Sequence, residues 1–199
     1  MKVPIAKALF NSHSYPQYRK LVSDLLVEGK STGNEQSENL TLYSTLNETR
    51  MNRLEKTMKI PNENSLKLKS LKGEYIWLVI SEGWCGDAAQ ILPIIHKMAE
   101  ESGKIELKIV LRDENEDLMN LFLTKKAKAI PIVVIIEKAT GDLLGSWGPR
   151  PKDAADLITN YKKEFGTIDE TAKTDLQLWY LHNKGLSTQQ ELINLMENL

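Results

Sequence analysis

The sequence predicts an α/β fold, and three observations carry that prediction. Residues 75–80 (Tyr-Ile-Trp-Leu-Val-Ile), 105–111 and 132–136 are short apolar runs of strand length, continuous enough to be central strands covered on both faces. Between them lie segments with helical spacing, about 85–101 and 114–126. After the third run, Thr140-Gly141-Asp142 supplies turn chemistry, and residues 143–147 can return antiparallel. A mixed central sheet flanked by helices follows.

The flanking elements are read from the same periodicities. Tyr18, Leu21, Val22, Leu25 and Leu26 recur on one face of a helix over 14–28, with Ser14 as its cap and Gly29 as its stop. Residues 29–38 are rich in Gly, Ser, Asn and Gln, the composition of a turn or mobile loop. A second helix, 38–59, ends before Pro61 and carries Leu40, Tyr43, Met51, Leu54 and Met58, with Asn47 interrupting the stripe. Beyond the sheet, Ala154, Leu157, Ile158, Tyr161 and Phe165 mark an amphipathic helix. Two more helices are expected at 168–183 and 187–198, the last opening on a Ser187/Gln190 capping box. The chain divides into a helical N-terminal extension (1–70), an α/β core (71–166) and a C-terminal helical extension (167–199).

Composition narrows the function. The 199 residues are 41% hydrophobic and 27% charged with a net charge of −1, so no global positive field draws the chain to nucleic acid or anionic lipid. The opening residues lack a sustained apolar h-region and a small-residue cleavage site, and no stretch approaches a membrane span; the chain reads as cytoplasmic. One cysteine excludes an internal disulfide, and His13, His96 and His182 lie too far apart in sequence to form a zinc-like cluster with it. No metal and no cofactor are expected.

That cysteine, Cys85, sits in Ser81-Glu82-Gly83-Trp84-Cys85-Gly86-Asp87-Ala88, where the first strand gives way to a helix. A thiol there faces unpaired backbone N–H groups and the positive end of the helix dipole, which favour thiolate. The plainer alternative is a small buried hydrophobe. Asp87 is either a favourable charge in the first helical turn or a proton-transfer group whose charge opposes thiolate formation. Arg112, ending the second strand, is placed to lend positive potential at the same sheet edge or to pair with Asp113 or Glu114. Arg150 either attracts an acidic peptide or small anionic thiol or solvates a helix start. Arg50 and Arg53 read as a solvated charged face. Trp77, Trp147, Trp179 and Tyr180 read as packing aromatics, and Trp84 as an exposed neighbour of the thiol.

These residues resemble the thioredoxin superfamily over about 75–165. Trp84-Cys85-Gly86 is similar to the opening of that family's active-site helix, and Pro93 to its kink proline. Ile130-Pro131 is similar to its cis-proline element beside the cysteine, and Gly148 to the glycine completing the groove. The resemblance implies Cys85 as attacking thiol, with Trp84, Gly86, Asp87, Ile130, Pro131 and Gly148 around the substrate. Arg112 and Arg150 would supply electrostatics. Ala88 stands where the family has its resolving cysteine, and Val79 where it has a buried acid. The tetrad Trp84-Cys85-Gly86-Asp87, with residues 47–54 and 111–115, resembles a bacterial branch with a helical N-terminal extension. Three functions follow as expectations. The first is monothiol exchange with a protein or peptide disulfide, completed by an external thiol such as a small-molecule one; the second is a redox sensor passing through sulfenic acid; the third is a redox-inactive module binding peptide in the groove.

Overall fold

A computed structural model describes residues 2–199. The chain begins with four helices: α1 (Val3–Phe10), α2 (Tyr15–Val27), α3 (Glu38–Thr57) and α4 (Asn62–Lys69). Then come β1 (Tyr75–Ser81), α5 (Gly86–Ser102), β2 (Ile105–Leu111), α6 (Glu116–Met119), β3 (Ile132–Glu137) and β4 (Leu143–Trp147). Helices α7 (Lys152–Phe165), α8 (Glu170–Asn183) and α9 (Leu186–Glu197) close it.

The sheet has the order β2-β1-β3-β4. β1 runs parallel to β2, with Tyr75 opposite Ile105 and Ser81 opposite Leu111, and antiparallel to β3, with Ile80 opposite Ile132. β3 pairs antiparallel with β4, Val133 facing Trp147. This register places the site. The end of β1, the end of β2, the start of β3 and the end of β4 all meet at one edge, so Cys85, Arg112, Ile130-Pro131 and Gly148 converge from segments far apart in sequence.

The apolar runs are central because both faces are covered: Trp77, Leu78, Val79, Ile80, Val133, Val134 and Ile135 are all fully buried. Each such side chain contributes about 1.5–3 kcal/mol of hydrophobic stabilisation. α5 packs its Ile91, Leu92, Ile95 and Met98 into that core with Pro93 inside the helix, while α3 lies along α5.

Several expectations need correction. α1 and α4 carry no strong signal in sequence: each spans eight residues, too few to show a clear period. The expected helix over 114–126 shrinks to α6: Leu118 and Met119 are buried and Phe122 packs part-buried against the core, but Leu121 and Leu123 stay exposed, and Lys125 and Lys126 turn the chain at positive φ. The capping box at Ser187 does not form. α9 starts at Leu186 behind Gly185, and the Ser187 backbone N–H donates instead to Asn183 Oδ1 at 3.1 Å. The Ser14 cap of α2 is present as a capping box with Gln17.

Among the described residues, no helix is long and apolar enough to cross a membrane.

Candidate functional site

Cys85 is the N-cap of α5: its sulfur accepts the Ala88 backbone N–H at 3.4 Å, and its thiol donates to the Ile130 carbonyl at 3.4 Å. The side chain is almost wholly buried, 7% exposed. Burial, followed by the nearby charge of Asp87, pushes the thiol pKa up to about 12, against the pull of the Ala88 and Asp87 backbone N–H groups and of Arg150. The helix terminus therefore acts as expected, but desolvation outweighs it. The resting state is a neutral thiol, hydrogen-bonded as a donor.

Ile130–Pro131 is a cis peptide, as is Gly148–Pro149, and the two loops lie against each other. Gly148 has φ +126°, and a Cβ there would fall 2.3 Å from the Pro131 carbonyl oxygen. Only glycine fits that approach.

An open cleft of about 820 Å³ runs past the thiol. Trp84, Cys85, Gly86, Asp87, Arg112, Ile130 and Arg150 of the expected residues line it. Pro131 is buried and Gly148 half-buried, and neither lines the cleft, where Pro149 is found instead. Two helices form the walls: α3 through Leu40, Tyr43, Leu46 and Arg50, and α8 through Glu170, Lys173, Thr174, Leu176 and Gln177.

Asp87 is not a cap. Its Oδ2 accepts from Arg150 Nε at 2.8 Å and Nη2 at 2.7 Å, and its Oδ1 accepts from Tyr180 Oη at 2.8 Å. Arg150 is thus tied into the floor beside the thiol rather than solvating a helix start, and Tyr180, read from sequence as packing, contributes its hydroxyl. Arg112 takes the local ion pair of its two expected roles: Nε donates to Asp113 Oδ1 at 2.7 Å, while the guanidinium lies 4.7 Å over the Trp84 ring at the cleft wall. Trp84 is half-buried beneath it.

Two groups escaped sequence reading. Asn47, which breaks the apolar stripe of α3, is buried and donates to the Gly83 carbonyl at 2.9 Å, fastening α3 to the loop that carries Cys85. A polar residue in a buried stripe was its visible signal. Glu82 is fully buried, Oε1 accepting the Asp113 N–H at 2.9 Å and Oε2 lacking a hydrogen-bond partner among the described residues; desolvation raises its pKa. Its position at the end of an apolar strand gave no hint of burial. Among the described residues, no group of three or more His, Cys, Asp or Glu side chains is placed to hold a metal ion.

Fold and site define a class: a mixed α/β protein whose lone thiol caps the helix after its first strand, next to a cis-proline loop. A family model described as thioredoxin matches residues 33–162, from the loop before α3 into α7, and the chain belongs to that family. Two solved structures share the fold. One is an HIV epitope-scaffold, 19% identical with a TM-score of 0.59, covering 94% of this chain and 99% of its own. The other is a protein of unknown function from Pseudomonas aeruginosa, 18% identical with a TM-score of 0.59, covering 94% of this chain and 98% of its own. No curated protein gives a significant sequence match.

Proposed function

We propose that the protein performs thiol–disulfide exchange through Cys85 alone, on a protein, peptide or small-molecule disulfide seated in the cleft. The observation that supports this best is the position of Cys85, a residue lining the cleft whose sulfur caps α5 and faces the carbonyl of the cis-proline loop. The Cys85 thiolate attacks one substrate sulfur. A new S–S bond forms as the old one breaks, the leaving sulfur departs as thiolate with the bonding pair, and the Cys85 proton passes to solvent. Because Ala88 offers no second thiol, an external thiolate then attacks the substrate sulfur of the mixed disulfide and releases Cys85. The exchange is neutral in electrons and needs no cofactor. Ile130-Pro131 and Gly148 shape the floor on which an extended substrate would lie. A reducing, cytoplasmic setting suits a lone thiol. Residues 1–70 and 167–199 then serve as extensions that wall a core of 71–166.

The raised thiol pKa favours a second reading, a redox-inactive module that binds peptide or protein in the same cleft. It weighs against a peroxide sensor, which needs an exposed, acidic thiol.

One experiment separates the two. A pKa raised from about 9 to about 12 leaves about a thousandfold less thiolate at pH 7, only partly offset by stronger nucleophilicity. Iodoacetamide alkylation at neutral pH is therefore expected to be roughly 30- to 60-fold slower than for a free cysteine, rising with pH and not levelling off below pH 11. Incubation with bis(2-hydroxyethyl) disulfide at pH 9 should add one mixed-disulfide adduct per chain by intact mass. A thiol that never forms the adduct in the folded protein removes the exchange reading and leaves the binding module.

A further inference from the structure

The cleft is lined by the cations Arg50, Arg112, Lys128, Arg150 and Lys173. Most are already neutralised. Arg112 pairs with Asp113 and Arg150 with Asp87, each at 2.7 Å, Lys173 with Glu170 at 2.6 Å, and Lys128 with Glu116. Arg50 stands apart: among the described residues it has no carboxylate partner. Its Nη1 donates to the neutral Asn47 Oδ1 at 2.7 Å, leaving the rest of the guanidinium fork uncommitted.

Its placement is fixed by the same asparagine. Asn47 accepts from Arg50 while donating to the Gly83 carbonyl, so one buried side chain sets the distance between the guanidinium and the thiol loop. Arg50 Nη1 comes to 3.7 Å from where a Cβ on Gly86, the residue after Cys85, would sit. The guanidinium is half-buried, and burial together with Arg53 works against its charge. A partly desolvated cation without a counter-ion is unfavourable, and an anion supplied by a ligand relieves it. Leu40, Tyr43 and Leu46 flank it with apolar surface fit for a short hydrocarbon linker.

We infer that Arg50 is the specificity determinant of the cleft. It binds the carboxylate of a substrate whose disulfide is presented to Cys85, so the preferred substrate class is a carboxylate-bearing thiol in its disulfide form. This rests on the exchange reading above. The step balances as before: the Cys85–S bond forms, the substrate S–S bond breaks, and a carboxylate-bearing thiolate leaves with the electron pair.

The test compares 3,3′-dithiodipropionic acid with its neutral diamide, reading the rate of mixed-disulfide formation at pH 9. Wild-type protein should react about tenfold faster with the diacid, the scale of one charge-assisted, half-buried contact. Arg50→Gln should lose that preference, its diacid and diamide rates becoming equal, with an unchanged urea-unfolding midpoint reporting an intact fold. Arg50→Lys should keep part of the preference, since charge remains without the planar fork. Arg53→Gln, an exposed neighbour on the same helix, should change neither rate. Equal diacid and diamide rates in the wild type, or a preference that survives Arg50→Gln, overturn the inference and leave exchange standing. If neither probe labels Cys85, exchange fails, and binding of the unreactive thioether 3,3′-thiodipropionic acid to Cys85→Ser decides. Binding that disappears on adding Arg50→Gln upholds the carboxylate site; binding indifferent to Arg50, or none, overturns it. Disulfide-bearing peptides with Glu or Gln beside the cysteine extend the comparison. A Glu preference above that for the diacid assigns the carboxylate to a polypeptide, a lower one to a small thiol.

Discussion

The two helices that wall the cleft treat it differently. On the α8 side the polar groups are satisfied by the protein itself: Tyr180 and Arg150 both bind Asp87, and Gln90 donates to Gln177 at 2.8 Å. On the α3 side Asn47 is satisfied by Gly83, but Arg50 keeps only a neutral partner. A charge already paired gains little from a second ion, whereas an unpaired, partly desolvated one gains most. The closed wall therefore bears on the thiol's proton, since Asp87 and Arg150 both act on Cys85, and the open wall is where ligand charge is welcome.

Three substitutions break or sharpen that contrast. The largest effect is expected at the floor shared by both walls. Gly148→Ala puts a methyl group 2.3 Å from a backbone oxygen at a φ that L-residues rarely adopt, and should cost about 3–5 kcal/mol in urea unfolding. A cost below 1 kcal/mol would show that the two loops can separate freely. Next, Asp87→Asn opens the closed wall by leaving Arg150 without its counter-ion. Arg150 keeps some exposure, so the loss should be about 2 kcal/mol. The same change removes the largest influence raising the Cys85 pKa after burial, so the alkylation profile should move to lower pH; a shift to higher pH would contradict the assigned sign. Asn47→Ala should be the mildest, about 1 kcal/mol for one buried hydrogen bond. It should leave the alkylation profile in place while reducing discrimination between diacid and diamide, because Arg50 loses its anchor.

Much of this site was legible because its residues announce themselves locally. Trp84-Cys85-Gly86 at a strand-to-helix junction, proline after Ile130 and glycine after Trp147 each have a strict backbone context, and the structure finds each at the expected sheet edge. The partners were harder to see. Tyr180 lies 93 residues from Asp87, and nothing within α8 distinguishes a tyrosine that packs from one that also donates its hydroxyl. Arg50 and Arg53 look alike on a helical wheel, and only the packing of α3 on α5 makes one a cleft residue and leaves the other exposed. α6 was overestimated for the same reason, since Leu121 and Leu123 prolong the apolar pattern but are left exposed by the packing.

What the sequence determined by itself was the α/β order, the position of Cys85 at a helix start and the absence of a second thiol, because periodicity, capping and residue identity are local properties. The protonation state of that thiol was decided by tertiary structure alone. A helix N-terminus lowers a thiol pKa and burial raises it, and sequence reveals the first influence but not the depth of the second. Here depth prevails, and the placement of Asp87 among Arg150 and Tyr180 adds to it.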